Sequence, residues 1–285
     1  ELDGTNAGNV NGLYITGGNT TVRGLAINRF SAYGIRLRTG GGNVIEANFI
    51  GTDATGTTAA PNSQDGVYVQ DSPNNTIGGF TSTARNVISG NADDGITISG
   101  SASTGNLVVG NYLGTDKSGT LGVGNGGDGV ILHTGAAGNT IGGTVAGAAN
   151  LISGNGNEGV ALYGSGTSNN VVWGNLIGTT AAGTAALGNA NDGIHIADGA
   201  SNNVIGGTVA AARNVIAGNG ADGVELRDAT TTNNSLLGNY IGTDVTGQIA
   251  IPNGSDGIEI ESATGNTIGG TQNGAGNVIS GNASD

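Results

Sequence analysis

The sequence predicts an all-β chain wound as a solenoid, and three observations predict it. The first is a long internal repeat: Asn48, Asn111, Asn175 and Asn239 each open an Asn-x-(Ile/Leu)-Gly-Thr string, at intervals of 63, 64 and 64 residues. The second is a shorter repeat nested inside it. An acid-Gly step recurs at Asp65, Asp94, Asp128, Glu158, Asp192, Asp222 and Asp256, so each long unit holds two similar coils. The third is a two-residue alternation after each step, as in Val67/Val69, Ile96/Ile98 and Val130/Leu132. Alternate side chains of a strand face opposite ways, and no segment shows the 3.6-residue spacing of an amphipathic helix.

Each coil is predicted to carry three short strands. The first follows an Asn (Asn43, Asn75, Asn106, Asn139, Asn170, Asn203, Asn234, Asn266) and places an aliphatic residue two positions on. The second follows Asn48, Asn86, Asn111, Asn150, Asn175, Asn214, Asn239 and Asn277 under the same rule. The third follows the acid-Gly step. The stretch 20–42 makes a bare turn, and later coils are longer through two kinds of insertion. One lies between the first and second strands (80–85, 144–149, 208–213, 271–276), the other between the second and third (51–64, 114–127, 178–191, 242–255).

A single coil of this size cannot bury its apolar side. Stacked coils can, with each strand pairing to its equivalent ~4.8 Å away. Equivalent side chains then form ladders, aliphatic inside and asparagine at two corners, where an amide can both donate and accept along the axis. The fold class is therefore a right-handed parallel β-helix of about nine coils, a single domain over 1–285. Strand edges left uncovered at both ends invite pairing. The expectation is a fragment of a longer chain, with flanking domains or end-to-end self-association covering those edges.

Composition narrows the function. A net charge of −13 and a pI near 4.2 oppose nucleic-acid binding, which needs a basic footprint. Without cysteine there is no disulfide, thiolate metal site or cysteine nucleophile. No stretch approaches the ~18 apolar residues of a membrane span.

The strings GNxIGTDxxG, DGIxI, NTIGG and RNVISGN resemble those of right-handed parallel β-helix repeat regions in very large bacterial surface and secreted proteins, with the pectate-lyase-like superfold. The resemblance covers nearly the whole chain. It implies the fold and a secreted or cell-surface location. It implies no single activity, because this superfold hosts lyases, hydrolases, epimerases, adhesins and passive stalks. Its polysaccharide lyases use an Arg or Lys base beside Ca²⁺-binding aspartates, and no position here matches such a motif.

Three sets of residues are candidates for function. The acid-Gly ladder brings carboxylates to ~4.8 Å, where they repel by ~1 kcal/mol in water and ~3–4 kcal/mol at an effective dielectric of 20. Either Ca²⁺ bridges the coils or turn N–H groups cap each carboxylate, and capping is the expectation. Asp53, Asp116 and Asp244 open Thr-Asp-x-x-Gly loops and are candidate metal ligands, although Thr180 stands at the third copy. The outward positions of the third strand place His195 beside Glu225 on adjacent coils, with Arg227, Tyr163 and His133 in reach.

Such groups suit general acid–base work, and a β-helix face suits a glycan. His195, Glu225 and Arg227 are the catalytic candidates; Tyr68, His133, Tyr163 and His195 are the ligand-binding ones. A solvated face of mixed polar residues is the simpler expectation for this row. The sequence thus favours a structural or adhesive solenoid without catalysis. The alternative is a polysaccharide-active enzyme (lyase or glycoside hydrolase) or a glycan-binding module using that face. The partner in either case is a polysaccharide or cell-surface glycan. No cofactor is predicted, and Ca²⁺ is the one candidate ion.

Overall fold

A computed structural model describes residues 1–284. Its strands form three parallel sheets of nine, ten and nine strands, and each coil contributes one strand to each sheet. Sheet 1 holds the first strands, from Thr21–Arg23 through Val44–Glu46 to Thr267–Ile268. Sheet 2 holds the second strands, from Leu2–Asp3 through Phe49–Ile50 to Val278–Ile279. Sheet 3 holds the third strands, from Leu13–Ile15 through Val67–Gln70 to Ile258–Glu261. The chain is a right-handed parallel β-helix. The one helical turn among the described residues is the 3-10 turn Ala210–Ala212, inside a predicted insertion.

The register is the one the repeat demands. Ile88 pairs with Leu113 and Leu113 with Ile152. All three are fully buried, as are Ile45, Ile77, Val67 and Val69. Each such side chain contributes ~1.5–3 kcal/mol by leaving water. In the last described coil no further turn stacks above, and Ile260, Ile268 and Ile279 are exposed.

Asparagine ladders run the length of the molecule, and there are three of them rather than two. Asn75 Nδ2 donates to Asn106 Oδ1 at 2.8 Å, and Asn86 Nδ2 to Asn111 Oδ1 at 2.9 Å. The third ladder links Asn62, Asn91, Asn125, Asn155, Asn189, Asn219, Asn253 and Asn282 through side-chain bonds of 2.8–2.9 Å. Its members are full-capacity amides. Asn125, for example, gives its second hydrogen to Ile88 O and accepts from the Asn91 N–H as well as its side chain.

Glycine serves two different needs here. Gly114 adopts φ +85 at a corner, where only glycine is unstrained. Gly129, after Asp128, has an ordinary backbone, but a Cβ there would collide with Ile152 Cγ2 and the Gly159 carbonyl. The acid-Gly step is therefore a demand for space beneath the third ladder as much as a turn signal.

Candidate functional site

The acid-Gly ladder lines the edge of the outward face of sheet 3. Asp94, Asp128, Asp192 and Asp222 are capped, but by the neighbouring coil rather than by their own turn. Asp94 Oδ1 accepts the Asp128 N–H at 2.7 Å, Asp128 Oδ1 the Glu158 N–H at 3.0 Å, and Asp192 Oδ1 the Asp222 N–H at 2.8 Å. Glu158 breaks the pattern. Its longer side chain carries the carboxylate out onto the sheet face, where Oε1 lies 3.5 Å from His195 Nδ1.

Three other groups meet His195. Tyr163 Oη is 3.0 Å from Nδ1, with the two rings edge to face. Asp192 Oδ2 is 3.6 Å from Nδ1, and Glu225 Oε2 is 3.1 Å from Nε2 without the alignment of a hydrogen bond. Arg227 reaches Glu225 at 3.7 Å but pairs more closely with Glu261, at 2.8 Å. The His195 side chain is 12% exposed and that of Glu225 9%. The expected solvated face is thus absent here, because neighbouring outward side chains and the acid ladder enclose these groups.

Burial and crowding redistribute the protons. Burial pushes Asp192 up to about 7. It pushes Asp128 well above the carboxylate range, helped by the adjoining Glu158 carboxyl. Burial would raise Glu158 too, but hydrogen bonds from His195 and Asp128 carry it below its ordinary value. The Asp128–Glu158 pair therefore titrates as a unit, with Asp128 the member pushed up and Glu158 the member pulled down. His195 is lowered by burial, yet Glu158, Glu225 and Asp192 outweigh that and raise its proton affinity. Burial and the same carboxylates raise Tyr163, which stays a neutral hydroxyl. The assembly is an imidazole that readily takes a proton, beside a hydroxyl able to donate or accept one.

Strand register explains why these residues meet. Ala161 pairs with His195 and His195 with Glu225, while Tyr163 pairs with Ala197, whose small side chain leaves room for the tyrosine ring to reach His195. Of the predicted site residues, the structure brings Tyr163, His195, Glu225 and Arg227 together. His133 instead contacts Thr134 Oγ1 at 2.6 Å. Tyr68 belongs to a second cluster at the other end of the same sheet. It stacks on Tyr33, with ring centroids 4.6 Å apart, and the Arg36 guanidinium lies 5.4–5.6 Å from Tyr14, Tyr33 and Tyr68. Tyr14 and Tyr33 were not anticipated, although three of the six tyrosines falling within residues 14–68 was a usable signal.

The loop aspartates are bound up in their own loops. Asp116 Oδ1 accepts the N–H groups of Thr120 and Leu121, and the Ser118 hydroxyl bonds its carboxylate. Asp53 and Asp244 do the same, and these bonds hold all three below the usual carboxylate range. The third copy, with Thr180, keeps the same backbone closure through Thr180 N–H to Ala185 O.

The 14-residue loops stack on one another two coils apart, as in Lys117 N–H to Gly56 O at 2.9 Å. With the shorter insertions they wall a shallow depression of about 270 Å³ over sheet 2, lined by Phe49, Arg85 and Lys117 among others. That hollow carries cations and the sheet 3 cluster carries acids, so the walls and the acid–base groups lie on different faces. No helix among the described residues is long and apolar enough to cross a membrane.

No family model matches the chain, and no curated protein matches it in sequence. Solved structures match it in fold. The periplasmic alginate epimerase AlgG superposes with a TM-score of 0.51 at 20% identity, over 82% of this chain and 48% of AlgG. A variant of AlgG gives 0.55 at 19% identity, over 87% and 50%. What they share is the parallel β-helix. The A-module of the mannuronan C-5 epimerase AlgE6 of Azotobacter vinelandii gives 0.49 at 20% identity, over 92% and 65%. The chain spans about half the length of AlgG.

Proposed function

We propose that this solenoid acts on a polysaccharide laid along the outward face of sheet 3, with Tyr163 and His195 as the acid–base pair. The observation that carries the reading is the 3.0 Å contact between Tyr163 Oη and His195 Nδ1 inside carboxylates from three coils. A solenoid spacer has no need of such a group, because its ladders and core are complete without it. Proton transfer between a sugar C–H or O–H and a positioned hydroxyl–imidazole pair is general acid–base chemistry. The fold is one on which an alginate epimerase is also built, which supports a reading in terms of polysaccharide chemistry.

Charge shapes the substrate. With −13 overall and acids around His195, a polyuronate is repelled at this end of the face, which favours a sparsely charged glycan there. The Arg36–tyrosine cluster offers the opposite character several coils away, with stacking faces and a cation for an acidic sugar. A polysaccharide partner implies a secreted, periplasmic or cell-surface location.

A scaffold reading draws on one observation, the separation of the walled hollow from the acid–base cluster. Turnover decides between them. A panel of neutral and acidic polysaccharides is assayed for new reducing ends, unsaturated products and solvent-hydrogen exchange, with wild type, Tyr163→Phe and His195→Asn. The expected result is turnover of at least one glycan, reduced ~10²–10⁴-fold in either variant. Absence of turnover throughout favours the spacer, and turnover undiminished in both variants overturns Tyr163 and His195 as the acid–base pair.

A further inference from the structure

The geometry points to a divalent transition-metal site, of the kind zinc occupies, formed by Glu158, Asp192 and His195 of two adjacent coils. It shares residues with the reading above and does not rest on it. One ligand atom from each residue lies within 4.8 Å of the others. Ligands ~2.1 Å from one ion at tetrahedral angles stand ~3.4 Å apart. Glu158 Oε1 and Asp192 Oδ2 lie 3.5 and 3.6 Å from His195 Nδ1, already near that spacing.

Two further features single this cluster out from an ordinary group of acids. Glu158 is 5% exposed, and its Oε2 is buried with no hydrogen-bond partner. An unmatched carboxylate oxygen in that setting is costly unless a cation or a proton satisfies it. The second feature is Glu225, whose Oε2 is 3.1 Å from His195 Nε2. A ligating histidine commonly gives its other ring N–H to a carboxylate, which fixes the tautomer and turns the bare nitrogen to the ion. Glu225 stands within that distance, though not aligned on the Nε2 hydrogen bond, while Nδ1 faces Glu158 and Asp192. The imidazole also sets the class of ion, because Ca²⁺ and Mg²⁺ prefer shells of oxygen. The Tyr163 hydroxyl, 3.0 Å from Nδ1, would give up that contact when an ion binds there.

The rival is a proton shared by Glu158 and Asp128, which satisfies the same oxygen without a metal. Calorimetry on the chelator-stripped chain separates the two, with Zn²⁺ and Ca²⁺ as alternative titrants and no glycan present. Co²⁺ visible absorption then reports nitrogen–oxygen coordination. The expected result is one saturable Zn²⁺ per chain, weakened at least tenfold by Glu158→Gln and by His195→Asn and unchanged by Asp94→Asn. Circular dichroism verifies that each variant keeps the β-helix. No saturable Zn²⁺ by the folded wild type overturns the site in favour of the shared proton. So does Zn²⁺ binding that ignores both site variants, or Ca²⁺ bound as tightly as Zn²⁺ and indifferent to His195→Asn. Metal binding without turnover, or turnover without metal binding, tells this inference apart from the polysaccharide reading.

Discussion

Asp65 and Asp94 sit far from His195, yet they carry the clearest consequence of stacking like residues in one row. Burial pushes Asp65 up to about 7 and Asp94 up to about 6, with Asp93 adding repulsion and Thr97 partly offsetting it. In the unfolded chain both release their protons near pH ~4. Between those values the folded state binds more protons, so its stability falls as pH rises. The contribution is complete below pH ~4 and gone above the folded values. Asp53, Asp116 and Asp244 run the other way, since their lowered affinity costs stability only as pH drops below ~4. Melting temperature, followed by circular dichroism in chelator, is expected to peak near pH ~4–5 and decline toward neutrality. Asp65→Asn, which cannot ionise, should flatten that decline. A melting temperature that climbs across the interval would mean these carboxylates are not enclosed.

At the scale of the element, the ladders determine how far the repeat could be read. The aliphatic and first two asparagine ladders were legible because each residue sits at a fixed offset within a strand. The third ladder was not, although an Asn stands three positions before every acid-Gly step. It lies in a corner without strand alternation, where the acid-Gly step three residues on carries the stronger periodic signal. Its weight can be measured with Asn125→Ala. That change leaves the Asn91 N–H and side chain without their acceptor and removes the bond to Asn155. Each buried group left unpaired costs ~1–3 kcal/mol. Denaturant unfolding should therefore show a loss of about 2–5 kcal/mol for Asn125→Ala. A loss of a few tenths would reduce the ladder to ornament.

The candidate site was legible in part for the same reason. His195 beside Glu225 follows from register alone. Glu158 did not announce itself, because the row places equivalent backbones together and says nothing of how far a side chain extends. One extra methylene moves its carboxylate from the capping row to the imidazole. Tyr163 reaches His195 only because Ala197 and Ala161 leave space, which is a matter of packing. The solvated face expected for this row fails for the same cause.

For the molecule as a whole, stability is a sum of coils and of contacts between neighbours, so structure weakens toward any coil without a neighbour. The Tyr163–His195 cluster sits where turns stack on both sides. A rigid setting of that kind suits chemistry that needs groups held in fixed register. The face of sheet 3 thus carries the enclosed Tyr163–His195 cluster and an aromatic–arginine cluster farther along the same axis, the two features on which the proposed polysaccharide reading rests. The most direct test is to titrate a polysaccharide identified on a glycan array into isotope-labelled protein and map the amide and imidazole resonances that move. Shifts running along sheet 3, including His195, and lost in Tyr163→Phe/His195→Asn, are the predicted result. Shifts confined to the loop-walled hollow over sheet 2, or no glycan bound at all, would contradict it.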